Sequence, residues 1–140
     1  MKRIIVVGAV IVIVLLAGTS WATNTEKEEA AVIAAEKWLA LVDTGKYSES
    51  WREAAEYFRN AVKQDQWEQS LQSVRMPLGK VISRKLKIKA YQTSLPGAPD
   101  GQYVIIQFET SFQNKKFAIE TVTPMYDKDG QWRVSGYYIK

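Results

Sequence analysis

Apolar residues are spaced differently in the two halves of the chain, and the spacing predicts helices first and strands later. Up to residue 75 they recur at intervals of three and four, which is typical of helices with one buried face. Thr25, followed three residues later by Glu28, is suited to the N-cap of the first helix, and Gly45 to its C-terminal stop. Two further helices are predicted over 47–62 and 64–75.

After Pro77 and Gly79, apolar and polar residues alternate, which is typical of strands with one buried face. Short turns separate the last three strands, so an antiparallel meander is expected. We therefore predict an α+β domain in which three N-terminal helices pack on one face of a four-stranded antiparallel sheet. The predicted strands cover 79–88, 103–112, 117–125 and 132–139.

The alternation also assigns side chains to the two faces of the sheet. In the first strand, the predicted apolar face consists of Ile82, Leu86 and Ile88. In the last strand, Trp132 and Val134 are expected to be buried and Arg133 to point the opposite way. One tryptophan lies on the apolar stripe of each predicted helix, and we interpret these rings as core rather than as the lining of a ligand pocket.

The first 22 residues have the order of a secretory signal peptide. Two basic residues precede an uncharged apolar stretch, and small residues follow at Ser20 and Ala22. We expect cleavage between Ala22 and Thr23, which leaves 23–140 as a single domain in the periplasm or, in a cell with one membrane, outside the cell. The alternative is an uncleaved helix that anchors the domain to the inner membrane, for which the apolar stretch is somewhat short.

The composition removes several classes of chemistry. The 140 residues include no cysteine and no histidine. Lack of cysteine excludes disulfides and lipidation, and lack of histidine removes the usual general base and the commonest zinc ligand. Loss of Lys2 and Arg3 with the leader lowers the net charge from +4 to +2, which gives no strong reason to expect nucleic acid or an acidic membrane as a partner. No stable membrane anchor is expected after cleavage. We assign no catalytic residue, no metal site and no cofactor.

Four charged residues on the predicted strands are candidates for binding a polar ligand: Arg84, Glu109, Glu120 and Arg133. The simpler interpretation, which we prefer, is a set of cross-strand ion pairs that fix the register. The basic residues that alternate along the first strand are interpreted as a solvated strand edge. The Asp-Lys-Asp-Gly sequence at 127–130 predicts a hairpin turn, because the remaining ligands of a calcium loop are missing.

Four longer motifs resemble a known family. They are WLALVDTGKY at 38–47, RMPLG at 75–79, PGAPDGQY at 96–103 and DGQWRVSGYY at 129–138. Together they are similar to the bacterial domain of unknown function 4019, over nearly all of the chain that follows the predicted leader. The resemblance implies a small exported α+β domain with a layout like the nuclear-transport-factor-2-like and cystatin-like folds, and it implies no activity.

Two functions from different classes remain open. The first is a non-enzymatic binding or accessory module of the bacterial cell envelope, with an unknown ligand or protein partner. The second is an acid–base enzyme of the nuclear-transport-factor-2-like type, with a carboxylate or tyrosine in a cone-shaped pocket. A cavity that contains Glu109 or Glu120 beside a tyrosine or arginine favours the enzyme, whereas a space filled by aromatic rings favours the binding module.

The cleavage site gives the first testable prediction. Mass spectrometry of the protein from its native cell is expected to find the N-terminus at Thr23, because Ser20 and Ala22 are small residues at the two positions that a signal peptidase reads. A dominant species that retains Met1 and sediments with membranes would contradict this prediction.

Overall fold

The computed structural model describes residues 21–140, so most of the predicted signal peptide lies outside the described residues. The described part is an α+β fold with four α-helices, one short 3-10 helix and a four-stranded antiparallel sheet. The elements are α1 (Asn24–Asp43), α2 (Tyr47–Glu53), α3 (Glu56–Ala61), α4 (Gln64–Val74), the 3-10 helix (Met76–Leu78), β1 (Val81–Gln92), β2 (Tyr103–Phe112), β3 (Lys115–Tyr126) and β4 (Trp132–Ile139).

Helix α1 begins two residues earlier than predicted. Its N-cap is Thr23, whose hydroxyl accepts a hydrogen bond from the Glu26 backbone at 3.2 Å, while the Glu26 carboxylate accepts one from the Thr23 backbone at 3.3 Å. The sequence contains two overlapping capping-box patterns, and the prediction of Thr25 chose the wrong one. The stop at Gly45 is confirmed, since this residue follows the C-cap with φ of 77°.

The predicted helix over 47–62 is wrong, because the chain breaks it into α2 and α3. Ala54 and Ala55 between them have extended backbones. The backbone N–H of Ala55 donates to the carbonyl of Val134 in β4 at 2.8 Å, and the next N–H, of Glu56, donates to the Asp127 carboxylate at 2.9 Å. These long-range bonds replace the helical ones, so residues 24–74 form four α-helices where the periodicity predicts three.

The predicted meander is confirmed, with strand order β1-β2-β3-β4 and every neighbouring pair antiparallel. The predicted face of β1 is wrong, however: Ile82, Leu86 and Ile88 are 67%, 43% and 45% exposed. The register of β1 against β2 shifts twice, between Val81 and Ser83 and between Leu86 and Ile88. Each irregularity changes which side chains share a face, so simple alternation does not hold along this strand.

One hydrophobic core joins residues of the helices and the sheet. It includes Trp38 from α1, Trp67 from α4 and Val134 from β4. Trp132 is half-buried against it. We call the sheet face that carries the buried Val104, Ile106 and Phe108 of β2 the core face, and the opposite one the outer face. Within residues 21–140, no helix is both long enough and apolar enough to cross a membrane.

Gly79, just before β1, lets the chain approach the β2–β3 hairpin closely, because it has no side chain. A matched pair of variants tests this close contact. Gly79 has φ of 76° and ψ of −157°, and an added Cβ lies 2.8 Å from Gln113 Oε1 and 2.9 Å from Gln113 Cβ. Gly97 has φ of 77° with nothing within 4 Å of its added Cβ. In urea melts, Gly97→Ala is expected to cost about 1 kcal/mol from backbone strain alone, and Gly79→Ala about 1–3 kcal/mol more. Equal losses would show that the contact with Gln113 contributes nothing.

Candidate functional site

Glu120 in β3 is a fully buried carboxylate, with 0% exposure, at the centre of a polar cluster on the core face. Arg84 donates to it twice, from Nε at 2.7 Å and from Nη2 at 3.2 Å. The hydroxyl of Thr110 donates at 2.5 Å, and the hydroxyl of Tyr137 donates to the second carboxylate oxygen. Four hydrogen bonds therefore satisfy a charge that is costly to bury unpaired.

The cluster extends from Arg84 to the ends of two helices. Nη1 of Arg84 donates at 2.8 Å to Asp43, the last residue of α1. Asp43 also accepts at 2.8 Å from Nη2 of Arg75, the C-cap of α4. Each strand and each of these two helix ends thus contributes one side chain. The Glu120 cluster consists of Asp43, Arg75, Arg84, Thr110, Glu120 and Tyr137.

Strand register brings the middle of this cluster together. Arg84 lies opposite Thr110, and Glu120 lies opposite Phe108, two positions along β2. Tyr137 pairs with Val122, again two positions from Glu120. Residues two apart on neighbouring strands share a face, and their diagonal separation is within reach of long side chains.

Charges in the cluster stabilise one another. Partial burial disfavours the ionised Asp43, but hydrogen bonds from Arg84 and Arg75 outweigh it and lower the pKa of this carboxyl. Because the unfolded state then binds protons more readily, the contribution of Asp43 to stability is present above about pH 4 and is lost as the pH falls through its folded-state pKa. Burial, followed by the charge of Glu120, raises the pKa of Tyr137, which stays a phenol.

The geometry restricts what the Glu120 cluster can do chemically. Its carboxylate is saturated by donors. Three cavities in the described part of the chain are lined by neither Glu120 nor Tyr137, although Thr110 lines one of them. An acid or base must reach the proton that it transfers. In the conformation described, the cluster is suited to hold strands and helix ends together. Among residues 21–140, no group of three potential acidic metal ligands comes close enough to hold an ion.

The other two candidates named from the sequence lie elsewhere. Glu109 is an exposed residue on the outer face, where Lys87 pairs with it at 2.5 Å and lowers its pKa. Arg133, expected to point the opposite way from the buried Val134, is paired with acidic residues of the β3–β4 turn and of α2. Its guanidinium binds Asp129 at 2.6 Å and reaches Glu53 in α2 at 3.3 Å. The four candidates therefore form three separate sites, and only Arg84 and Glu120 meet.

An open groove of about 510 Å³ lies between α1 and the start of β4. We call it the α1–β4 groove. Apolar side chains, among them Ile33, Leu41 and Trp132, line part of it. Polar groups line the rest, including Lys37 and Arg133. Its volume falls within the range of small-molecule sites, which pair an apolar surface with a few fixed polar groups.

The chain was compared with known proteins. The family model described as "Protein of unknown function (DUF4019)" matches residues 34–137, well over half of the chain. The chain belongs to this family. The DUF4019 span includes all six members of the Glu120 cluster, and the resemblance inferred from the four motifs is confirmed. No curated protein matches the chain.

Two glutamates on neighbouring strands provide a matched test of the site. Glu120→Gln replaces a buried, fully bonded carboxylate by an amide and leaves Arg84 partly unpaired, so it is expected to cost about 3–5 kcal/mol. Glu109→Gln removes an exposed pair with Lys87 and is expected to leave the unfolding free energy within experimental error. Urea melts of both variants measure this difference. A Glu120→Gln variant as stable as Glu109→Gln would contradict the structural role of the cluster.

Proposed function

We propose that this DUF4019 domain is a non-catalytic ligand-binding module of the bacterial cell envelope, and that the α1–β4 groove is its binding surface. The observation that supports the proposal is that the groups with catalytic potential and the open groove lie at different places in the fold. The charged groups with catalytic potential are buried and saturated in the Glu120 cluster, whereas the groove is open and has both apolar and polar walls.

The polar wall of the groove is held in place before any ligand arrives. Hydrogen bonds from Arg133 fix its guanidinium on Asp129, and they raise the pKa of Arg133 and lower that of Asp129. A preorganised donor reduces the entropy lost on binding. The half-buried Trp132 lies beside it in the groove. An indole next to fixed hydrogen-bonding groups suits a ligand with one apolar face and several hydroxyls, such as a sugar.

Export is part of this proposal. The predicted leader over 1–22 ends at a peptide bond between two exposed residues, Ala22 and Thr23. Thr23 is the N-cap of α1, so cleavage before it would leave the capping box of the domain complete. The order of helices followed by a four-stranded meander also agrees with a nuclear-transport-factor-2-like layout, with the helices covering the core face.

The second candidate is an acid–base enzyme, and one observation favours it. Tyr137 donates a hydrogen bond to Glu120, and Arg84 lies beside them. A carboxylate, a phenol and a guanidinium at one point form a plausible reaction centre once a substrate can enter. This candidate requires the sheet and α1 to separate, since aromatic and aliphatic core residues, among them Trp38 and Phe108, occupy the interior.

A ligand screen with paired variants tests the binding module. A carbohydrate fraction from envelope extracts is expected to raise the melting temperature of the protein and change its tryptophan fluorescence. A ligand at a hundred times its Kd stabilises by about 2.7 kcal/mol. Trp132→Leu is expected to remove both effects. Tyr138→Leu, an exposed aromatic elsewhere on β4, is the control and is expected to retain them. Loss of the response in the control, or its persistence in Trp132→Leu, would contradict the assignment of the groove.

A further inference from the structure

The outer face of the sheet carries a second open feature, beside the β2–β3 hairpin. It is a shallow trough of about 750 Å³. We call it the hairpin trough and define it by the apolar Ile82, Phe117 and Ile119 and the basic Lys85, Lys116 and Lys140. Phe117 is 91% exposed and Ile82 is 67% exposed. Exposed apolar side chains that are grouped at one place are a feature of interaction surfaces.

The hairpin that presents Phe117 is firmly attached to the rest of the fold. The backbone N–H of Gln113 donates to Lys80 at 2.8 Å. Asn114 donates twice to the 3-10 helix, from its backbone to Leu78 and from its side chain to Pro77, each at 2.9 Å. These bonds fix the position of the hairpin. Along β3, Ala118 and Glu120 are buried on the core face, so the alternation of side chains places Phe117 on the outer face.

The trough has an excess of positive charge. A row of cross-strand neighbours crosses it from Lys85 through Glu109 and Ile119 to Lys140. Glu109 is the one side-chain carboxylate among the residues that line the trough, and Lys87 already pairs with it at 2.5 Å. Lys85 lies opposite Glu109 and also lowers the pKa of that carboxyl, so Lys116 and Lys140 are the trough lysines most available to an anionic partner.

We propose that the hairpin trough docks on the surface of an anionic phospholipid bilayer, with Phe117 and Ile82 entering the headgroup boundary and the lysines meeting lipid phosphates. Aromatic and aliphatic side chains beside lysines are the combination that binds this boundary. Long lysine stems reach phosphates at several depths, and an open, shallow surface requires a partner that adapts to it. A folded protein partner would instead need a cavity shaped for Phe117.

This proposal goes beyond the ligand groove and does not depend on it. The α1–β4 groove contains residues of α1 and lies at the opposite side of the sheet from Lys85 and Phe117. The trough lies toward the C-terminal end of α1, where Asp43 contacts Arg84, the neighbour of Lys85. Lys27, about 25 Å away near the other end of this helix, lies over Tyr91.

The chain has no cysteine, so a single introduced cysteine can carry a reporter of the local environment. The full chain is expressed and its processed form is purified. Phe117→Cys labelled with an environment-sensitive dye is expected to gain fluorescence and shift to the blue with phosphatidylglycerol vesicles. Phosphatidylcholine vesicles alone are expected to give little change. The same dye at Lys46→Cys, on the loop after α1, is the positional control and is expected to stay in water.

Vesicle sedimentation of unlabelled protein measures how much the trough lysines contribute to membrane binding. Lys85→Glu combined with Lys116→Glu is expected to lower the partition coefficient by more than about tenfold, since each lysine near an anionic surface contributes about fivefold. Lys46→Glu combined with Lys128→Glu makes the same change in net charge at two positions that do not line the trough, and it is expected to lower the partition coefficient much less. Equal losses in both pairs, binding without response of the dye at position 117, or no preference for anionic lipid would overturn the proposal. Circular dichroism confirms that each variant is folded.

Discussion

The burial of one ionised carboxylate is the constraint on which the rest of this fold depends. Glu120 is removed from water completely, and a carboxylate in that position is stable only if donors surround it. Arg84 supplies two hydrogen bonds, and it remains in place because Asp43 binds its other side. A single interaction in the sheet thereby holds the C-terminal end of α1 against the sheet, and through Arg75 the C-terminal end of α4.

The residues that hold the fold together are largely different from those of the proposed binding surfaces. The polar groups that tie the elements together lie on the core face, with Glu120 fully buried among them. The surfaces open to partners lie on both sides of the sheet: the α1–β4 groove with Trp132 and Arg133, and the hairpin trough with Phe117. The overlap between these surfaces and the Glu120 cluster is small, because Thr110 is the one member of the cluster that lines either of them.

The sequence predicts the sheet well, since its strands follow local rules. The bounds of β2 and β4 agree with the alternation of residues, and Gly45 stops α1 as expected. The break at Ala55 could not be predicted, because it depends on a hydrogen bond to Val134, far along the chain. The faces of β1 were missed for a similar reason, since a bulge has no fixed sequence signature.

The sequence predicted only part of the Glu120 cluster. Arg84 and Glu120 were both named, and a cross-strand ion pair was the preferred interpretation. One signal for burial was present, because Glu120 alternates with the apolar Ala118 and Val122. The contributions of Asp43 and Tyr137 depend on tertiary contacts between distant segments, which periodicity does not report.

A double-mutant cycle between Arg84 and Glu120 tests the central claim most directly. Arg84→Met alone leaves a buried carboxylate without its main donor, and Glu120→Gln alone leaves the guanidinium without its main acceptor. The double variant removes both charges, so it is expected to be less destabilised than the sum of the single variants. Urea melts are expected to give a coupling free energy of about 1–3 kcal/mol. Additive losses would contradict the claim that this ion pair holds the fold together.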